Sequence, residues 1–221
     1  MRLLLFILLL ATLSCVGEPI VTERLSLRLL QPADWEVYLK INKNEKVLEN
    51  ANAKLSDEGF RKWFDFTLEG NANFIASQPT TGVGFVITKK ESPAPIGYLM
   101  VYESEPGGFW EVTTIFEPGS WSQGYGTEAR RAMMPFFFDT LKVPGLISTI
   151  AATNTPSLRL NEGLGFKLVN PDVRTDVRKE ITRDTSISWR EYRLSAEDYR
   201  HGLRRISGPC RNTHMAAGEK N

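Results

Sequence analysis

Apolar and polar positions alternate with period two at the start of the chain, where Leu25, Leu27 and Leu29 are separated by Ser26 and Arg28 ahead of Gln31-Pro32. That pattern predicts a half-buried strand ended by a turn. Pro32 suits a first helical position, and Trp35, Tyr38, Leu39 and Ile41 or Asn42 give a helical face through about residue 43. A second helix is expected from Ser56. Its hydroxyl can cap the first turn, Asp57 and Glu58 suit the positive end, and Phe60, Trp63, Phe64 and Leu68 recur at helical spacing up to Gly70, read as the stop. Residues 77–82 form a loop. Beyond it, residues 84–88 and 96–102 read as a hairpin and residues 109–116 as an aromatic and β-branched strand.

Met133, Phe136, Phe137 and Leu141 then lie on one helical stripe, and residues 146–151 make a short strand. Thr155 is the expected cap of a helix that begins at Pro156 and ends at Gly163-Leu164-Gly165, and residues 186–194 alternate as a last strand. Hairpins mixed with crossovers predict an α/β protein with a central mixed, twisted sheet flanked by helices. Residues after Leu203 lack periodicity, and a disordered tail is expected from Ser207.

The junction between the strand at 109–116 and the following helix carries the chemistry. Gln123-Gly124-Tyr125-Gly126-Thr127 places two glycines where the backbone can take positive φ or approach a ligand closely, just ahead of a helix N-terminus. Such a loop aims amide hydrogens at an anion, and a pyrophosphate suits it. No Lys-Ser/Thr follows the second glycine and no third glycine completes a dinucleotide fingerprint, so neither of those two common nucleotide loops is present.

The stretch Gln123-Gly124-Tyr125-Gly126-Thr127-Glu128-Ala129 resembles the acetyl-coenzyme A loop of the GNAT N-acetyltransferases, especially the branch containing the ribosomal-protein N-terminal acetyltransferases. Asn154, Ser157, Arg159, Glu162, Gly165 and Phe166 are spaced as in that branch's second signature, and Thr22-Glu23-Arg24-Leu25 with Leu27-Arg28 is similar to its opening strand. The resemblance spans roughly residues 20 to 195. Asn161 departs from it, standing where the family usually has an apolar residue, and so does Pro135, inside the helix that follows the loop.

That resemblance implies a GNAT fold and transfer of acetyl from acetyl-CoA to a primary amine of a small molecule or protein N-terminus, by direct attack in a ternary complex. It implies that Ile115 and Phe116 face the pantetheine arm and that the amides of Gln123, Gly124, Tyr125, Gly126 and Thr127 take the phosphates. Thr127 could equally be the helix cap, and Arg130 or Arg131 either adds charge for the phosphates or lies on a solvated face. An alkyl amine arrives mostly protonated, because its ordinary pKa is about 10. Glu111 is the implied base acting through water, against the alternatives of a group that only orients the ammonium or an ordinary strand carboxylate. Asn154 could hold the arm or the amine, or cap a helix. Ser157 could donate to the departing thiolate or serve only the first turn, with Tyr192 and Tyr125 as other donors.

Composition narrows the chemistry further. In 221 residues with a net charge of +1 there is no field to gather nucleic acid. Cys15 and Cys210 lie near the two ends and the only imidazoles are His201 and His214, so neither a metal site nor a Ser-His-Asp triad is expected. Residues 1–17 form a hydrophobic leader or upstream extension, too short to span a bilayer but suited to a signal segment. The expected organisation is this leader, an acetyltransferase domain over 18–203 and a tail over 204–221. Acetyl-CoA as cosubstrate favours the cytoplasm, and membrane association could come only through the leader. Two other readings stand beside the enzyme: a noncatalytic CoA-binding module, and an exported or membrane-tethered binding protein.

Overall fold

The computed structural model describes residues 17–51, 53–104, 106–172, 182–183 and 188–206. Residues 1–16 of the leader, Cys15 among them, and residues 207–221, with Cys210 and His214, lie outside them, whereas residues 204–206, expected in the tail, belong to the last helix. Along the chain run β1 (Ile20–Val21), β2 (Leu25–Leu29), a 3-10 turn (Pro32–Asp34), α1 (Trp35–Asn42), α2 (Glu45–Ala51), β3 (Ala53–Lys54) and α3 (Asp57–Ile75). There follow β4 (Gly82–Lys89), β5 (Ser92–Glu103), β6 (Trp110–Phe116), α4 (Tyr125–Pro135), a π-helical segment (Phe136–Thr140), β7 (Gly145–Ala151), α5 (Thr155–Gly163), β8 (Lys167–Asn170), β9 (Thr182–Arg183), β10 (Trp189–Ser195) and α6 (Ala196–Ile206).

The main sheet has the order β1-β2-β4-β5-β6-β7-β10-β8, and a two-stranded ladder joins β3 to β9. Every pairing in it is antiparallel except β6 with β7, so the sheet is mixed, as the interleaved hairpins and crossovers predict. Side chains alternate across it with period two. Phe85, Ile87, Leu99 and Val101 join Ala129, Met133, Phe137 and Phe138 on the α4 face. Val86, Tyr98 and Met100 join Tyr38, Ile41, Phe60 and Phe64 on the α1–α3 face. The sheet is therefore a wall with a separate apolar layer on each side.

Local signals place most of these elements. Ser56 caps α3 as expected, its Oγ accepting from the Gly59 amide at 3.1 Å. Gly70 does not end that helix. A Cβ there would stand 1.8 Å from the Gly82 carbonyl oxygen, so glycine lets α3 cross the start of β4 closely, while Asn71 bonds Gly84 on both its amide and its carbonyl. Pro135 stays within the helix and loosens it: with no N–H to give, it is followed by the π-helical segment, which buries Phe137 and Phe138 fully. The first predicted helix begins as the 3-10 turn, and α2, β8 and α6 are not among the predicted elements, although Ala196, Tyr199, Leu203 and Ile206 recur at helical spacing in α6.

Candidate active site

The strand pair β6–β7 is in register only at Trp110 with Leu146 and Glu111 with Ile147. Beyond Glu111 the two strands part, and a cavity of about 610 Å³ runs through the opening, walled by residues from both faces of the sheet. Its size is that of a ligand pocket rather than a packing void. Two carbonyls of β6 are met by side chains. The Val112 carbonyl accepts from Arg130 Nη2 at 3.1 Å, and the Phe116 carbonyl accepts from Trp121 Nε1 at 2.8 Å.

One end of the cavity is the glycine loop. Gly124 is the residue before the first turn of α4 and has φ +80°, a conformation that favours glycine. Thr127 is thus inside the helix and does not cap it. Gly124 has no side chain with which to cap, so the first-turn amides of α4 remain for an incoming anion. Gly126 differs: a Cβ there would come 2.7 Å from Leu160 Cδ1, the end of a rotatable side chain on α5. The Gln123 side chain turns away, donating to the Gly119 carbonyl at 2.8 Å, which leaves only its backbone for a ligand.

Residues near the chain start brace this loop. Arg24 donates to the Gln123 carbonyl at 2.9 Å and lies 4.6 Å from the Tyr125 ring centroid, with Lys89 5.5 Å from the same ring. Glu128 accepts from Thr22 Oγ1 at 2.6 Å, from the Arg24 amide at 2.9 Å and from Arg24 Nε at 2.7 Å. Burial works against the Glu128 charge, but these hydrogen bonds outweigh it and hold the carboxyl below its usual range. The loop is an open helix N-terminus with cations at its edge, an arrangement that suits an anion.

Of the two arginines considered for the phosphates, Arg131 is exposed, whereas Arg130 is buried in the cavity wall. Its Nε donates to Thr114 Oγ1 at 2.9 Å and its Nη1 to Asn161 Oδ1 at 2.8 Å. Burial pushes its pKa down to about 10, partly offset by the charge of nearby Glu111. It is neither a solvated residue nor a loop residue. Asn161, where an apolar residue was expected, is its buried partner and also donates to the Ser157 carbonyl at 2.8 Å.

Glu111 is buried at the closed end of the split, opposite Tyr102 in the β5–β6 register. Ile115 packs with the α1–α3 layer and Phe116 with the α4 layer, so the two flank the opening from opposite faces. Asn154, and not Thr155, caps α5: its Oδ1 accepts from the Ser157 amide at 3.2 Å while its Nδ2 donates to the Asn50 carbonyl at 3.2 Å. Ser157 and Tyr125 line the cavity. Tyr192 does not, and its hydroxyl is given to Glu162 at 2.8 Å. On the α1–α3 side the wall includes Tyr38, Phe60, Trp63, Tyr98 and Tyr102, and the Tyr98 hydroxyl donates to Asn42 Oδ1 at 2.6 Å. Burial raises the pKa of Tyr98, as it does that of Tyr38, so both phenols are neutral. Among the described residues, no three His, Cys, Asp or Glu side chains gather into a metal site.

Comparison with known proteins adds sequence and structural relatives. The acetyltransferase (GNAT) domain description matches residues 24–167. An uncharacterized N-acetyltransferase of Bacillus subtilis, YnaD, is 24% identical over 149 residues, covering 67% of this chain and 82% of its own. The spermidine N-acetyltransferase of Vibrio cholerae, solved with CoA and spermine, superposes with a TM-score of 0.64 at 16% identity, over 80% of this chain and 99% of that one. The ribosomal-protein alpha-N-acetyltransferase RimL superposes with a TM-score of 0.62 at 14% identity, over 81% and 94% of the two chains.

Proposed function

We propose that this chain, which belongs to the GNAT acetyltransferase family, carries acetyl from acetyl-CoA directly to a primary amine held in the same cleft. One observation supports the reading above the others. A single cavity passes through the split in the sheet, with the open helix N-terminus of the glycine loop at one end and the buried Glu111 at the other. The cosubstrate supplies the activated acyl group; the chain supplies placement and proton handling.

The loop amides of α4 hold the diphosphate, and the arm follows the unpaired edge of β6 between Ile115 and Phe116. Glu111 lies where that edge closes, and it accepts the proton that an ammonium must lose before its nitrogen can attack, directly or through water. Asn154 and Ser157 form the α5 side of the passage. The acceptor enters from the α1–α3 face, where the wall is aromatic and apolar with few polar groups. A polyamine and a protein N-terminus are the acceptors named for the two solved neighbours, and both present a primary amine at the end of a chain.

The test is calorimetric titration with acetyl-CoA followed by a screen of amines for release of the free thiol. Binding together with amine-dependent thiol release supports the reading. A folded protein that binds neither acetyl-CoA nor CoA would overturn it.

A further inference from the structure

The feature of this cleft that the reading above leaves unused is a buried cation. Arg130 is 5% exposed and commits one N–H each from Nε, Nη1 and Nη2 to Thr114, Asn161 and Val112. A guanidinium has five N–H groups, so each Nη retains a hydrogen beyond these contacts. Thr114 Oγ1 accepts from Nε and therefore keeps its own hydrogen to give. The charge of nearby Glu111 offsets part of the cost of burying this cation, which three elements, α4, α5 and β6, hold rigidly, and the hydrogens beyond these contacts can meet a further anion.

Its place along the cleft says which charge. The anion cradle lies at the N-terminus of α4, and the opening closes at Glu111; the contacts of Arg130 to Thr114 and Val112 fall between them, toward the closed end. A chain anchored by its phosphates on the loop and lying along β6 reaches the guanidinium with its far end. In coenzyme A that end is sulfur. This inference rests on the acetyl-CoA reading above.

We propose that Arg130, positioned by Asn161, Thr114 and Val112, is the cation that receives the negative charge of the coenzyme A sulfur. The amine nitrogen uses its lone pair to form the C–N bond to the acetyl carbon, and its proton passes to Glu111 or to water. The C–S bond breaks with its electron pair left on sulfur, and the thiolate departs paired with Arg130, taking up a proton only after release. A dedicated acid is then unnecessary, in keeping with the Tyr192 hydroxyl being committed to Glu162 outside the cavity.

The experiment compares CoA, which has an ionisable thiol, with acetyl-CoA, which has none, by titrating both into the full chain across pH 6 to 9 in buffers of differing ionisation heat. The other titratable groups on the cavity wall are Glu111, Arg159, Tyr125, Tyr38, Tyr98 and Tyr102, and they affect both ligands, so the difference between the ligands isolates the sulfur. Expected for the wild type is proton release specific to CoA, with its affinity relative to acetyl-CoA rising up to about tenfold per pH unit below the pKa of the free thiol. The paired variant Arg130→Met with Asn161→Leu, apolar at both positions, is expected to bind both ligands with the same pH dependence, and Arg130→Lys to restore part of the difference. Equal pH dependence of the two ligands in the wild type overturns the inference while leaving the acetyltransferase reading intact, as does a difference that survives in the paired variant. Failure of the folded wild type to bind either ligand overturns both.

Discussion

Arg130 Nη1 lies 2.8 Å from Asn161 Oδ1, tying α4 to α5 at the floor of the opened sheet. Both residues are buried, so removing one strands the other. Asn161→Leu alone is expected to cost about 2–4 kcal/mol, because it leaves a desolvated guanidinium hydrogen without its acceptor. The paired replacement Arg130→Met with Asn161→Leu should recover most of that, since it removes the charge together with its acceptor. Urea denaturation of the two single variants and the pair measures the coupling; additive losses would show that the contact has no energetic weight.

The two loop glycines should respond differently to the same methyl group. Gly124→Ala must hold φ +80°, and about 1–2 kcal/mol of stability is expected to be lost with the anion cradle distorted. Gly126→Ala instead meets only the tip of Leu160, a rotatable side chain, and gains helix propensity, so its stability should stay within about 1 kcal/mol of wild type. Thermal melts and acetyl-CoA titrations of each variant decide the point. Equal destabilisation by both would refute the distinction.

Glu128 makes the brace between the chain start and α4 sensitive to acid. Its folded pKa lies below the ordinary 4.5, so the unfolded chain binds its proton more readily. The stabilisation is therefore fully present above about pH 4.5 and is lost as the pH falls through the lower, folded value. Wild-type stability should drop more steeply than that of Glu128→Gln below this pH, with the two curves parallel above it. Chemical denaturation at stepped pH provides the comparison.

Glu111→Gln keeps the size of the side chain and removes its basicity. Acetyl-CoA affinity should be unchanged while kcat/KM for the amine falls about 10²- to 10⁴-fold at neutral pH. The deficit should shrink as the pH rises toward about 10, where the amine deprotonates unaided. A pH-independent deficit would argue that Glu111 orients the ammonium and takes no proton.

What the sequence makes legible follows the range of the interaction responsible. Ser56 announces a helix start, because its partner Gly59 is three residues away. The glycine loop is equally local, and its position between strand and helix is written in consecutive residues. Gly70 misleads, since the reason for a glycine there is a crossing with Gly82 that no local pattern records. Arg130 misleads in the same way: a lone arginine on a helix reads as a surface residue until Asn161, on another helix, and Thr114, on a strand, are brought to it. Asn161 was the available signal, a polar residue at a position expected to be apolar, but it gave no indication of its partner. The choice of Asn154 over Thr155 as the α5 cap turns on backbone geometry one residue apart, finer than composition resolves.

A continuous sheet is a partition, and molecules on its two sides meet only by going around. Here the parting of β6 from β7 cuts a window through that partition. If, as proposed, two substrates arrive from opposite faces, neither stands in the other's doorway: the acceptor would enter with the acetyl donor already seated, and the acylated product would leave by its own side while the spent carrier is still bound. Turnover in such an arrangement is not bound to a compulsory order of entry and exit, and a molecule that plugs one doorway leaves the other open.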